Sequence, residues 1–156
     1  MKKDRPVQIV AWDKKYSTGI EKIDSQHRHL FDLTNQLYNA CFSNEDELDA
    51  KFKEAIKKMV DYVRYHFESE QKLLAAIGYP EYQNHKSQHD KLIQDILIAV
   101  QDYKDGKKHT PNNFVRTLKE WILSHIAYYD KAYSTFAIDQ LKKGLLTEKT
   151  LREGLS

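Results

Sequence analysis

The chain has 156 residues, 40% of them hydrophobic and 31% charged, the size and mix of one soluble domain with an ordinary core. Five glycines and three prolines are too few for a turn-rich β fold and favour long helices. A net charge of +2, with no like-charge block, argues against nucleic acid and anionic membrane as partners, and one cysteine excludes an intrachain disulfide.

Residues 1–20 read as an N-terminal arm whose one large apolar anchor is Trp12. The opening Met1-Lys2-Lys3 leads into a charged stretch instead of an apolar signal core. Apolar runs such as Ile96 to Val100 are too short to span a bilayer. Four segments then place apolar residues three and four apart, the period of one helix face. The first runs Ile23, His27, Leu30, Thr34, Leu37, Cys41. The second runs Phe52, Ile56, Met59, Val63, His66, Glu70, Leu73, and its charged stretch Glu45 to Lys58 reads as a solvated face. The third runs Tyr82, His85, His89, Leu92, Ile96, Ala99, Tyr103. The fourth runs Phe114, Leu118, Trp121, His125, Tyr128, Ala132.

Punctuation falls between the segments. Ser43-Asn44 offers caps for the second helix, and Gly78 with Pro80 separates the second from the third. Asp105-Gly106 stops the third, and Thr110-Pro111 offers a cap and a first-turn proline for the fourth. Three short connections predict an all-α, up-down-up-down antiparallel four-helix bundle. We therefore expect a single domain over 1–156, with the arm at 1–20, the bundle at 21–131 and a C-terminal extension at 132–156. The extension could lengthen the fourth helix and add a tail helix capped by Thr147.

Five of the seven histidines and one glutamate occupy seam positions where Leu or Ile belongs. His29 should face outward, and His109 falls in the third connection. A buried polar group without a partner costs about 2 kcal/mol or more, so six together need a common reason. Alternating chain direction supplies it. The start of helix one (His27), the end of helix two (His66, Glu70), the start of helix three (His85, His89) and the end of helix four (His125) all lie at one end of the bundle. Five imidazoles with one or two carboxylates exceed a single zinc site and fit two metals that share carboxylates. A zinc protease is disfavoured, because His85-Lys86-Ser87-Gln88-His89 has lysine where that motif carries its general base. The paired Glu-x-x-His motifs of ferritin-like oxidases are also missing.

Ile23-Asp24-Ser25-Gln26-His27, His66-Phe67-Glu68-Ser69-Glu70, His85-Lys86-Ser87-Gln88-His89 and Trp121 to Asp130 resemble, in order and spacing, the four iron-binding motifs of the hemerythrins. The resemblance covers roughly residues 10 to 135 and is to the stand-alone bacterial members, the bacteriohemerythrins. It implies two iron ions (Fe2+/Fe3+) with a bridging oxo or hydroxo. His85, His89 and His125 would hold one iron, His27 and His66 the other, with Glu70 and Asp130 bridging. It implies reversible dioxygen binding for transport, storage or delivery, without enzymatic turnover. Oxygen or redox sensing, or a weak di-iron peroxidase or oxidase, are the alternatives. Leu30, Phe31, Phe67, Trp121, Ile122 and Ile126 are near enough in sequence to line an oxygen pocket. The expected partners are dioxygen and a protein recipient of it, for a cytoplasmic monomer.

Asp130 is placed in the site by resemblance only. It is five residues after His125, about 140° around an ideal helix, so a π-type turn near 125–130 is required to bring it into line. Where the family often carries a second Glu after the bridging one, this chain has Gln71, which is expected to face away from the seam.

Overall fold

The structure, a computed structural model, describes residues 7–107 and 110–156. Among them the elements are all helical: a short 3-10 turn Lys14–Tyr16, α1 Glu21–Ala40, α2 Glu45–Ala76, α3 Tyr82–Lys104, α4 Thr110–His125, a π-helical turn Ile126–Asp130, α5 Lys131–Lys142 and α6 Glu148–Gly154. α4, the π turn and α5 form one continuous rod. α1 packs on α2, α2 on α3, α3 on α4 and α4 on α1, which closes an antiparallel four-helix bundle. No helix among the described residues is long and apolar enough to cross a membrane. The reading of His109 as a linker residue falls outside the described residues.

Helix ends follow the punctuation in part. At the end of α2 Gly78 takes φ 67°, and the next amide, Tyr79, reaches back to the Leu74 carbonyl at 3.0 Å. This left-handed closure is one that a residue with a Cβ resists. Asn44 stands at the N-cap of α2 but its side chain makes no capping bond. Thr147 does cap α6, accepting from the Thr150 amide at 3.1 Å. On the outer face of α2, Glu47–Lys51, Asp49–Lys53 and Glu54–Lys58 pair at i, i+4.

Two apolar clusters fill the interior. The larger includes Leu37, Phe52, Met59, Ile96, Phe114 and Leu118. The smaller joins Ile20, Ile23, Leu73, Leu74, Tyr133 and Leu146. His27 on α1, Glu70 on α2 and Asp130 on the α4–α5 rod fall between the two, and His66 and His125 stand one residue before Phe67 and Ile126 at the edge of the larger. Burying a Leu or Met side chain contributes about 1.5–3 kcal/mol, so these clusters are what holds the polar layer in place.

The chain ends close the assembly. Asn35 binds the arm by accepting from the Ile9 and Val10 amides and donating to the Val10 carbonyl. Trp12 packs on Phe31 at 5.6 Å and lies under the Arg28 guanidinium at 4.8 Å. At the other terminus α6 lies on α2, and Gly154 comes so near that a Cβ there would sit 3.0 Å from that of Ala76.

The fourth stripe departs from its expected course beyond His125. Tyr128 is 72% exposed and Ala132 is exposed, whereas Asp130, Tyr133 and Ala137 are buried. The π turn adds one residue to the helical cycle and moves every later seam position by one.

Candidate metal centre

His27 enters the interior from α1, His66 and Glu70 from α2, His85 and His89 from α3, and His125 from α4. Asp130 closes the group from the last position of the π turn. Each of the seven side chains is at most 4% exposed. Each histidine directs Nε2 inward. Glu70 Oε1 faces His27 and His66 at 3.4 and 3.2 Å, and its Oε2 faces His85 and His89 at 3.3 and 3.1 Å. Asp130 divides its oxygens the same way. Oδ2 meets His27 at 3.0 Å, and Oδ1 meets His85 and His125 at 3.2 and 3.1 Å. Two sets result, Glu70-His85-His89-His125-Asp130 and His27-His66-Glu70-Asp130, each with its donor atoms within 4.8 Å of one another.

The electrostatics are those of a cation receptor. Burial would raise the Glu70 carboxyl, but His66, His27 and His85 outweigh it and hold it well below the usual range. Burial and the Glu70 charge push Asp130 up, and His125 and His27 bring it well below its ordinary value. For His27 and His85, burial favours the neutral ring, yet the two carboxylates win and push each up to about 9. For His89 burial wins, helped by the His125 and His85 charges, and takes it down to about 4.

Protons and protein partners do not satisfy this arrangement. Both Asp130 oxygens lie near imidazole nitrogens but lack hydrogen-bond geometry to any of them. His89 Nε2 is 3.2 Å from His125 Nε2, which in turn is 3.3 Å from His85 Nε2. Nitrogen lone pairs crowding one point with carboxylate oxygens fit divalent transition metals bound by mixed imidazole and carboxylate. The donor set therefore fits a pair of metal ions that share Glu70 and Asp130.

Neighbouring side chains fix these rings. Gln26 Oε1 accepts from His66 Nδ1 at 2.6 Å, which leaves the Nε2 lone pair directed at the carboxylates. Phe67 stacks on His89 at 3.6 Å and Trp121 on His125 at 4.4 Å. The Tyr133 hydroxyl donates to Glu70 Oε1 at 3.0 Å from a fully buried ring. Sequence reading missed Tyr133, because the one-residue shift of the π turn hides it from a regular helical count. It also misjudged Gln71. The side-chain amide reaches within 3.3 Å of His89 Nδ1 instead of facing away, since a long side chain one position past Glu70 can fold back over the α2–α3 seam. Asp24 is buried but serves the arm, accepting from Ser17 Oγ and from the Thr18 amide and hydroxyl. His29 faces outward against Tyr62.

A cavity of about 10 Å³ adjoins His27, His66, His125 and Asp130 and is walled by Leu30, Phe67, Trp121, Ile122 and Ile126. Phe31, grouped with these by sequence proximity, does not line it. Its ring is turned to the arm, where it meets Trp12 and Tyr16.

Comparison with known proteins agrees with this geometry. Residues 18–137 match the hemerythrin HHE cation binding domain. A bacteriohemerythrin of Clostridium acetobutylicum is 35% identical over 132 residues, covering 80% of this chain and 98% of that protein. One from Methylococcus capsulatus is 28% identical over 127 residues, covering 80% and 94%. A wild-type hemerythrin crystal structure superposes with a TM-score of 0.74 at 25% identity, covering 81% of this chain and 96% of that one. With a matching profile over most of its length and a relative at this identity, the chain belongs to the hemerythrin HHE cation binding domain family.

Proposed function

We propose that this chain binds dioxygen reversibly at a non-heme di-iron centre, for transport, storage or delivery of oxygen. One observation carries most of the reading: Glu70 and Asp130 each split their two oxygens between a three-histidine set and a two-histidine set. His85, His89 and His125 would hold one iron, and His27 and His66 the other. The first set offers five donors and the second four. Both histidines of the poorer set line the apolar cavity, against only His125 of the richer set, so spare coordination and space for a small molecule coincide. When bound, an iron pair supplies reversible electron exchange with dioxygen.

The rest is the work of this chain. Leu30, Phe67, Trp121, Ile122 and Ile126 keep water from the cavity, which opposes irreversible oxidation. A space of about 10 Å³ suits one small molecule at most. Tyr133 holds Glu70, and Gln26 holds His66. The tyrosines nearest in sequence to His125 do not wall the cavity. Tyr128 is exposed and Tyr129 stacks on the His125 ring. A wall without phenol or ammonium donors supports binding over turnover.

The test is an oxygen cycle followed by absorption. The reduced protein is exposed to dioxygen and then sparged with argon. A charge-transfer band that rises and falls over repeated cycles is the expected result. A band that forms once and persists would favour sensing or oxidation chemistry and overturn the carrier reading.

A further inference from the structure

The small cavity lies inside the bundle, and a second, larger hollow lies near it on the surface. This cleft, about 450 Å³, follows the groove between α3 and α4. Leu92, Ala99, Phe114 and Leu118 form its apolar floor, and Asp95, Asp102 and Lys107 stand at its edge. Among the described residues the two hollows share a single lining residue, Trp121. Its indole is half-buried, stacked on His125 and 5.9 Å from the Phe67 ring.

We propose that the α3–α4 cleft is the access route for dioxygen and that Trp121 is its gate, a reading that rests on the di-iron function above. Three observations converge. The cleft floor is hydrocarbon, which favours an apolar diatomic over water. Trp121 is the one residue common to both linings, so a rotation of its indole is the smallest change that would open one space toward the other. The charges at the edge do not hinder a neutral ligand, and Lys107 is already paired with Asp102 at 2.9 Å. The Trp121 indole is held by its stack on His125 and its contact with Phe67. No covalent step is involved.

A route changes rates without changing equilibrium. Thr117→Trp and Ala99→Phe each place bulk in the cleft from a different helix, away from the metal centre. Dioxygen association and dissociation are measured by flash or stopped-flow absorption on the iron-loaded protein. Both variants should slow the two rates by the same factor, about threefold or more, with Kd unchanged. Trp121→Ala should speed both. A second readout needs no iron: xenon, which settles in dry apolar hollows, is located in pressurised crystals. It should occupy the cleft in the parent protein, vanish in Thr117→Trp and reach the inner cavity in Trp121→Ala. Unchanged rates in both cleft variants, or a changed Kd with unchanged association, overturns the route. Absence of reversible oxygen binding in the parent protein overturns the carrier reading on which the route rests.

Discussion

Where Leu37, Met59, Ile96 and Leu118 meet, the four helices present hydrocarbon to one another. Two to three turns along, the same seams present five imidazoles and two carboxylates. Both layers obey one helical period, and both are buried to a few per cent exposure. They differ in what completes them. The hydrocarbon layer is satisfied by its own packing, while the polar layer leaves both Asp130 oxygens and three Nδ1 atoms without hydrogen-bond partners. Stability and metal binding should therefore separate by layer, and substitutions can test that separation.

The largest effect falls on the shared carboxylates. Glu70→Ala takes a donor from both sets at once, so bound iron should fall from two per chain to less than about a tenth of that. Circular dichroism should still report a helical bundle. Retention of two irons would break the distinction between the layers. In the opposite sense, Leu37→Ala should cost about 2–5 kcal/mol in denaturant unfolding and leave the iron count unchanged. If Leu37→Ala also empties the site, the layers are one cooperative unit.

Metal removal sharpens the same contrast. Loading at a thousandfold excess over Kd adds about 4 kcal/mol to stability. The parent protein and Leu37→Ala should show that increment between apo and loaded forms, and Glu70→Ala should not. Tyr133→Phe is milder. It deletes one buried hydrogen bond to Glu70, for about 1 kcal/mol in unfolding, with both irons retained. Loss of iron in that variant would show that Tyr133 is required to place Glu70. The smallest effect lies at the edge of the hydrocarbon layer, at half-buried Cys41. Burial pushes the Cys41 thiol up to about 11, so alkylation at pH 8 should run roughly tenfold or more slower in the folded protein than in denaturant.

How far the sequence reveals this design varies by residue. His27, His66, Glu70, His85, His89 and His125 stand out because regular helices carry a strict period, and a polar residue on the apolar stripe breaks it. Chain direction then groups them without any coordinates. Asp130 and Tyr133 do not stand out, because the π turn shifts the count and puts Tyr128 and Ala132 where the seam should be. The structure contains that π turn at Ile126–Asp130, the position that the His125–Asp130 spacing demands. Gln71 escapes for another reason. Periodicity fixes where a Cα lies, but a long side chain can reach across the seam to His89. The tail is unreadable in function from its sequence, yet Leu146 ahead of α6, Leu151 within it and Leu155 at its end join the small cluster that includes Tyr133.

The central claim is that two metal ions share Glu70 and Asp130, and anomalous diffraction at the iron edge tests it most directly. Crystals of the iron-loaded protein should show two peaks between these carboxylates, one flanked by His85, His89 and His125 and the other by His27 and His66. A single peak, or density bound to only one of the two histidine sets, would contradict the account.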